Sequence, residues 1–90
     1  MFMAYYVYII ESERDGRYYI GSSHNPWLRL ERHNAGWTRS TKGRGPWRLV
    51  HVEEYERKAE ALRREREVKR RKSHRYIQAL IEAGGRPAPK

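Results

Sequence analysis

Tyr5-Tyr6-Val7-Tyr8-Ile9-Ile10 and, after a short interval, Arg17-Tyr18-Tyr19-Ile20-Gly21 decide how the rest of this chain is read. Both stretches are rich in β-branched and aromatic residues, which suit a pleated, half-buried surface. Asp15-Gly16 lies between them, and glycine accepts the positive φ of a tight turn without steric cost. The pair therefore reads as an antiparallel hairpin. Paired positions in such a hairpin have numbers of constant sum, so Tyr8 and Tyr19 share a face whenever that sum is odd. A two-residue Asp15-Gly16 turn meets the condition but leaves the tyrosines well out of step. A four-residue loop from Ser12 to Asp15 also meets it and sets them directly opposite. The second arrangement is the expectation, and the sequence alone does not decide between them.

Working outward, Asn25-Pro26 reads as a helix N-cap followed by proline at the first helical position. The helix is expected from Pro26 to about Ala35. Residues 36–46 hold Gly36, Gly43 and Gly45 together with Arg39, Lys42 and Arg44, and read as a flexible loop carrying Trp37. Trp47 to Tyr55 is expected as a third strand. From about Arg57 to Lys72 the chain is rich in Ala, Leu, Glu, Lys and Arg, all good helix formers. Ser73 then caps a last helix in which Tyr76, Ile77, Leu80 and Ile81 form one apolar stripe. The order β-β-α-β-α-α makes a small α+β domain, a three-stranded antiparallel sheet flanked by helices. It is expected to occupy residues 4–84 as a single unit, with 85–90 as a flexible tail after Gly84.

Composition narrows the partners. Twenty Lys and Arg stand against 11 Asp and Glu, a net charge of +9 on 90 residues. Such a balance favours polyanions, DNA first and RNA second. The chain has no cysteine, which excludes a disulfide framework and a thiolate metal site. No apolar run approaches the roughly 20 residues that span a bilayer, and the amino terminus lacks the features of a signal peptide. A cytoplasmic protein that meets nucleic acid, and no membrane, is the simplest expectation.

Four side chains make an odd collection for a core: the phenols of Tyr8 and Tyr19, the guanidinium of Arg29 and the carboxylate of Glu65. At 100° per residue, Ala61, Leu62 and Val68 define the apolar direction of their helix. Glu65 falls inside that arc and Glu67 points away from it. An inward carboxylate needs a partner, because burying it unpaired is costly. A metal ion or a guanidinium would answer that need. On the first helix Arg29 and His33 are four apart and share a flank, while Trp27 and Leu30 occupy a neighbouring arc towards the sheet.

With these residues in place the chain resembles the GIY-YIG nuclease family. Tyr6-Val7-Tyr8 stands where the family has Gly-Ile-Tyr, and Tyr19-Ile20-Gly21 matches the second half outright. Further matches are Arg29-Leu30, His33-Asn34, Gly45-Pro46-Trp47 with Leu49-Val50 after it, and Arg64-Glu65. The likeness spans about residues 4–83 and is strongest to the small stand-alone bacterial members. It implies a nuclease that hydrolyses phosphodiesters in DNA with one divalent metal ion, Mg²⁺ or Mn²⁺, in repair or recombination. By position, Glu65 would be the metal ligand and Arg29 the phosphate clamp. Tyr8 and Tyr19 would bind and polarise the attacking water, and His33 would be an accessory group near the phosphate. Arg39, Lys42, Arg44, Lys69 and Arg70 are the expected backbone contacts. The chain departs from the family in Tyr6, where glycine is usual, and in having no asparagine after Asn34. It also has no attached DNA-recognition domain, which points to structure-selective or weakly sequence-specific cutting.

Two other classes compete. A nucleic-acid-binding module of the same fold, weak or inactive in catalysis, would bind in a salt-dependent way and cut nothing. An accessory protein docking through its basic helix would be found with a stoichiometric protein partner.

Overall fold

The computed structural model describes residues 4–71 and 73–84. The expected tail at 85–90 lies outside the described residues, as does Lys72. Three strands, β1 (Tyr5–Ser12), β2 (Tyr18–Ser23) and β3 (Trp47–Tyr55), and three helices, α1 (Pro26–Asn34), α2 (Lys58–Arg71) and α3 (His74–Glu82), follow in the order β-β-α-β-α-α. The sheet is antiparallel, with β1 between β2 and β3. The α+β class and its topology agree with the sequence reading.

A central strand covered on both sides needs apolar residues facing both ways, and β1 supplies them. Val7, Tyr8, Ile9 and Ile10 are all buried. Tyr8 and Ile10 pack with Trp47, Leu30, Leu49 and Val52 on the face covered by α1. Ile9 packs with Val68, Ile77, Ile20 and Val50 on the face covered by α2 and α3. Each such side chain removed from water contributes about 1.5–3 kcal/mol. An irregularity in β3 between the partners of Ile9 and Ile10 leaves Val50 without a counterpart on β1. Leu49 and Val50 face opposite cores by ordinary alternation.

The hairpin register corrects the sequence expectation. Tyr8 faces Gly21 and Ile10 faces Tyr19, so the tyrosines share a face but stand diagonally, not opposite. The loop has four residues, but they are 13–16, closed by the Ser12 amide donating to the Arg17 carbonyl at 2.8 Å. Ser12 is the reason. It is buried, its hydroxyl donates to the Arg44 carbonyl, and the amides of Arg14 and Asp15 donate to it. A serine engaged on both sides stays in the strand and pushes the turn one residue onward.

Asn25 caps α1 by accepting from the Leu28 amide, and Ser73 caps α3 by accepting from the Tyr76 amide. The 36–46 segment is tied down rather than free. Asn34 brackets its far end, accepting from the Trp47 amide at 2.6 Å and donating to the Trp47 carbonyl at 3.0 Å. The Trp47 indole donates to the Thr41 carbonyl.

A polar rivet joins α2 to β3. Arg64 donates twice to Glu53, at 2.9 and 3.2 Å, and also reaches Glu67 and the Tyr76 hydroxyl. His51 and Tyr55 bind the same Glu53 carboxylate. Burial alone would raise the Glu53 carboxyl, but hydrogen bonds from His51, Arg64 and Tyr55 outweigh it and hold the group down at about 2, from 4.5. The folded state thus binds its proton later than the unfolded chain. The stabilisation is complete above pH 4.5, the unfolded value, and is lost as the pH falls through the folded one. Urea unfolding should lose on the order of 3 kcal/mol between those limits. Glu53→Gln should flatten that part of the profile; an unchanged acid slope would remove Glu53 as its source.

Candidate active site

Tyr8 is fully buried, yet its hydroxyl is not an orphan: it lies 2.9 Å from His33 Nε2. The direction of that bond follows from what lies behind the histidine. Taking Thr41 Oγ1 as the donor to the Thr38 carbonyl at 3.3 Å assigns the His33 hydrogen to Nδ1, which then donates to Thr41 at 2.8 Å. Nε2 is then the acceptor, and the Tyr8 phenol is the donor. Burial, with the Arg29 guanidinium adding to it, pushes the imidazole down to about 4, so it is neutral in ordinary buffers. His33, expected near the phosphate, is itself buried, at 1% exposure. Both its nitrogens are used inside the protein.

Burial also pushes the Tyr8 phenol well above its ordinary value of 10. The charged or ionisable groups that act on it next are Arg29, which lowers it, then Tyr19 and Glu65, which raise it. The other three residues singled out in the sequence thus all act on the Tyr8 phenol. Tyr19, half-buried, stacks against His33 with ring centroids 4.8 Å apart. The Arg29 guanidinium makes no ion pair among the described residues.

Glu65 reaches this group from the other side of the sheet. Its helix packs on the Ile9 face, and Ser22, which pairs with Val7, lies on that same face by alternation. The Ser22 hydroxyl donates to Glu65 Oε1 at 2.6 Å, and Lys69 Nζ sits 2.7 Å from Oε2. The Glu65 side chain is only 16% exposed, against 50% for Glu67. Because β2 is an edge strand, the two faces meet at its rim. Gly21 makes that meeting possible. A Cβ there would stand 2.6 Å from the Tyr8 hydroxyl oxygen and 2.7 Å from the ring carbon bearing it, so the phenol lies directly across the glycine.

Among the described residues no three His, Cys, Asp or Glu side chains converge in a way that could hold a metal ion, so a lone carboxylate with Ser22 beside it is the donor set. Arg39, Lys42 and Arg44 are exposed on the loop that holds Thr41. Arg70 is exposed on α2, lining a hollow with Glu67 and Arg71. Lys69 is engaged with Glu65. The sequence reading missed Thr41, Ser22 and the structural part of Arg64. Ser22 was within reach, since it alternates with Ile20 towards α2. No pattern in one sequence marks Thr41.

The architecture is that of a nuclease-type domain. A model of the GIY-YIG catalytic domain matches residues 4–77, and the chain belongs to that family. It is 42% identical over 66 residues to a UPF0213 protein of Halobacterium salinarum, covering 72% of this chain and 84% of that one. It is 40% identical over 86 residues to a UPF0213 protein of Halalkalibacterium halodurans, covering 94% and 89%. The solution NMR structure of a UPF0213 protein from Bacillus halodurans is similar, with a TM-score of 0.59 and 40% identity over 94% of this chain and 89% of that one. No described helix is long and apolar enough to cross a membrane.

Tyr8 cannot easily yield to a side chain at position 21, because its hydroxyl is held by His33 in a packed core. Gly21→Ala should lower stability by about 1–3 kcal/mol and break the Tyr8–His33 hydrogen bond, read by urea unfolding and by the His33 ring resonances. An unchanged unfolding midpoint would show that the phenol is free to move.

Proposed function

We propose that this chain is a metal-dependent nuclease that hydrolyses phosphodiesters in nucleic acid, DNA foremost. The observation that carries the reading is that Tyr19 lies against His33, the partner of the buried Tyr8 phenol, while Glu65 is held by Ser22 of the same strand as Tyr19, on a domain of net charge +9. Nucleases of this family are generally metal-dependent. The donor chemistry of Glu65 fits a hard divalent ion such as Mg²⁺ or Mn²⁺, which takes oxygen ligands and keeps much of its water. A cation, the Lys69 ammonium, already sits against one oxygen of Glu65. Glu65 would hold the ion, with Ser22 fixing the carboxylate's orientation. When bound, the ion would supply charge for the reacting phosphate and make water more acidic.

The remaining roles belong to the chain's own groups. Arg29 would pair with the phosphate and offset the charge that builds on its oxygens. Tyr8 commits its proton to His33, so its oxygen offers only lone pairs elsewhere and would orient an O–H of the attacking water. Tyr19, on the same face and partly open, would be the second phenol at that water. His33 is a positioning residue. Arg39, Lys42, Arg44, Lys69 and Arg70 would neutralise backbone phosphates, giving affinity that falls steeply with salt. The basic surface, which favours backbone phosphates over base edges, suits structure-selective or weakly sequence-specific cutting, as in repair or recombination.

A second reading, a binding module without turnover, is favoured by the lack of any asparagine after Asn34. One experiment separates the two. Labelled single-stranded and branched DNA is incubated with the protein in Mg²⁺ or Mn²⁺. Cleavage is expected, with Glu65→Ala and Arg29→Ala each reducing it by roughly 100-fold or more and Tyr19→Phe also impairing it. Cleavage that survives Glu65→Ala would defeat the assignment, and binding without cleavage on every substrate would leave the second reading.

A further inference from the structure

Lys69 stands one helical turn beyond Glu65 on α2, and the two form an ion pair unlike a simple surface pair. The carboxylate is fixed: its side chain is 16% exposed, and Ser22 on β2 donates to its other oxygen. The ammonium is tethered on a flexible stem, with its side chain 49% exposed. Among the described residues no other cation lies within ion-pair distance of Glu65. A pair of this i,i+4 kind shifts an equilibrium by only a few-fold, so the ammonium can leave while the carboxylate stays. Lys69 also lines a cavity of about 540 Å³ with Arg17, Tyr18, Tyr19, Ile20 and His74. An ammonium released from Glu65 remains beside that cavity and beside a second cation, Arg17.

We propose that Lys69 is a resident counterion of Glu65 that a divalent cation must replace, and that the replacement frees the ammonium for a nucleic-acid phosphate. This rests on Glu65 being the metal ligand. The exchange keeps the fixed carboxylate neutralised in both states, so the site is never a bare buried anion. It also links the two ligands. Whatever factor metal binding adds to phosphate affinity through Lys69, phosphate must add to metal affinity. Arg63, exposed on the same helix, serves as a control for net charge.

The test is Mn²⁺ binding to the full chain without nucleic acid, followed by electron paramagnetic resonance of the free ion. Lys69→Met and Lys69→Gln should both bind Mn²⁺ roughly 3- to 10-fold more tightly than the parent, and Arg63→Gln less than about 2-fold more tightly. A lysine that only lies near the ion, without occupying its place, would give a gain no larger than that of Arg63→Gln. Binding by the parent with no gain in either Lys69 variant overturns the exchange and leaves the nuclease reading standing. No Mn²⁺ binding by any of the proteins overturns both.

Discussion

A phenol buried completely in the central strand has to give its proton to something, and most of the site follows from where that proton goes. Leaving one buried hydroxyl unpaired costs about 1–3 kcal/mol, a large share of what a domain this small has to spare. Tyr8 resolves it by donating to His33, which fixes the rotation of α1 about its own axis. His33 must then place its other nitrogen, which draws Thr41 into the core, fully buried, and with it the loop between α1 and β3. The phenol's path across β2 requires that position 21 carry no side chain. One hydroxyl thus constrains a helix, a loop and an edge strand at once.

The second helix is positioned by a different device. Arg64 and Glu65 are adjacent in sequence, so their side chains leave the helix about 100° apart. Arg64 engages Glu53 on β3 and Glu65 engages Ser22 on β2. The helix therefore straddles the sheet, anchored to both edge strands across the central one. Glu53 collects donors from His51, Arg64 and Tyr55, which makes that anchor a multiply hydrogen-bonded charge pair, the kind strong enough to orient a helix. Arg64 sets the rotation of the helix, and Ser22 then fixes the Glu65 carboxylate.

The strands, the helices and the inward turn of Glu65 were legible because each rests on local periodicity. The hairpin register was legible only in its parity. Constant-sum pairing puts Tyr8 and Tyr19 on one face for any odd sum, but the value of the sum was set by Ser12, whose partner, the Arg44 carbonyl, is 32 residues away. His33 was identified, but its role was not, for the same reason: it depends on Thr41 across a loop whose glycines suggest freedom. A sequence displays what a residue is and which way its element turns it. It does not display which distant backbone carbonyl will take up a hydroxyl.

The proton balance of the site shows why the Tyr8–His33 pair stays neutral. The Tyr8 phenol lies above its usual value of 10 and its acceptor, His33, at about 4. That gap keeps the proton on the tyrosine. Arg29 cannot close it, because its charge lowers both groups and so moves donor and acceptor together.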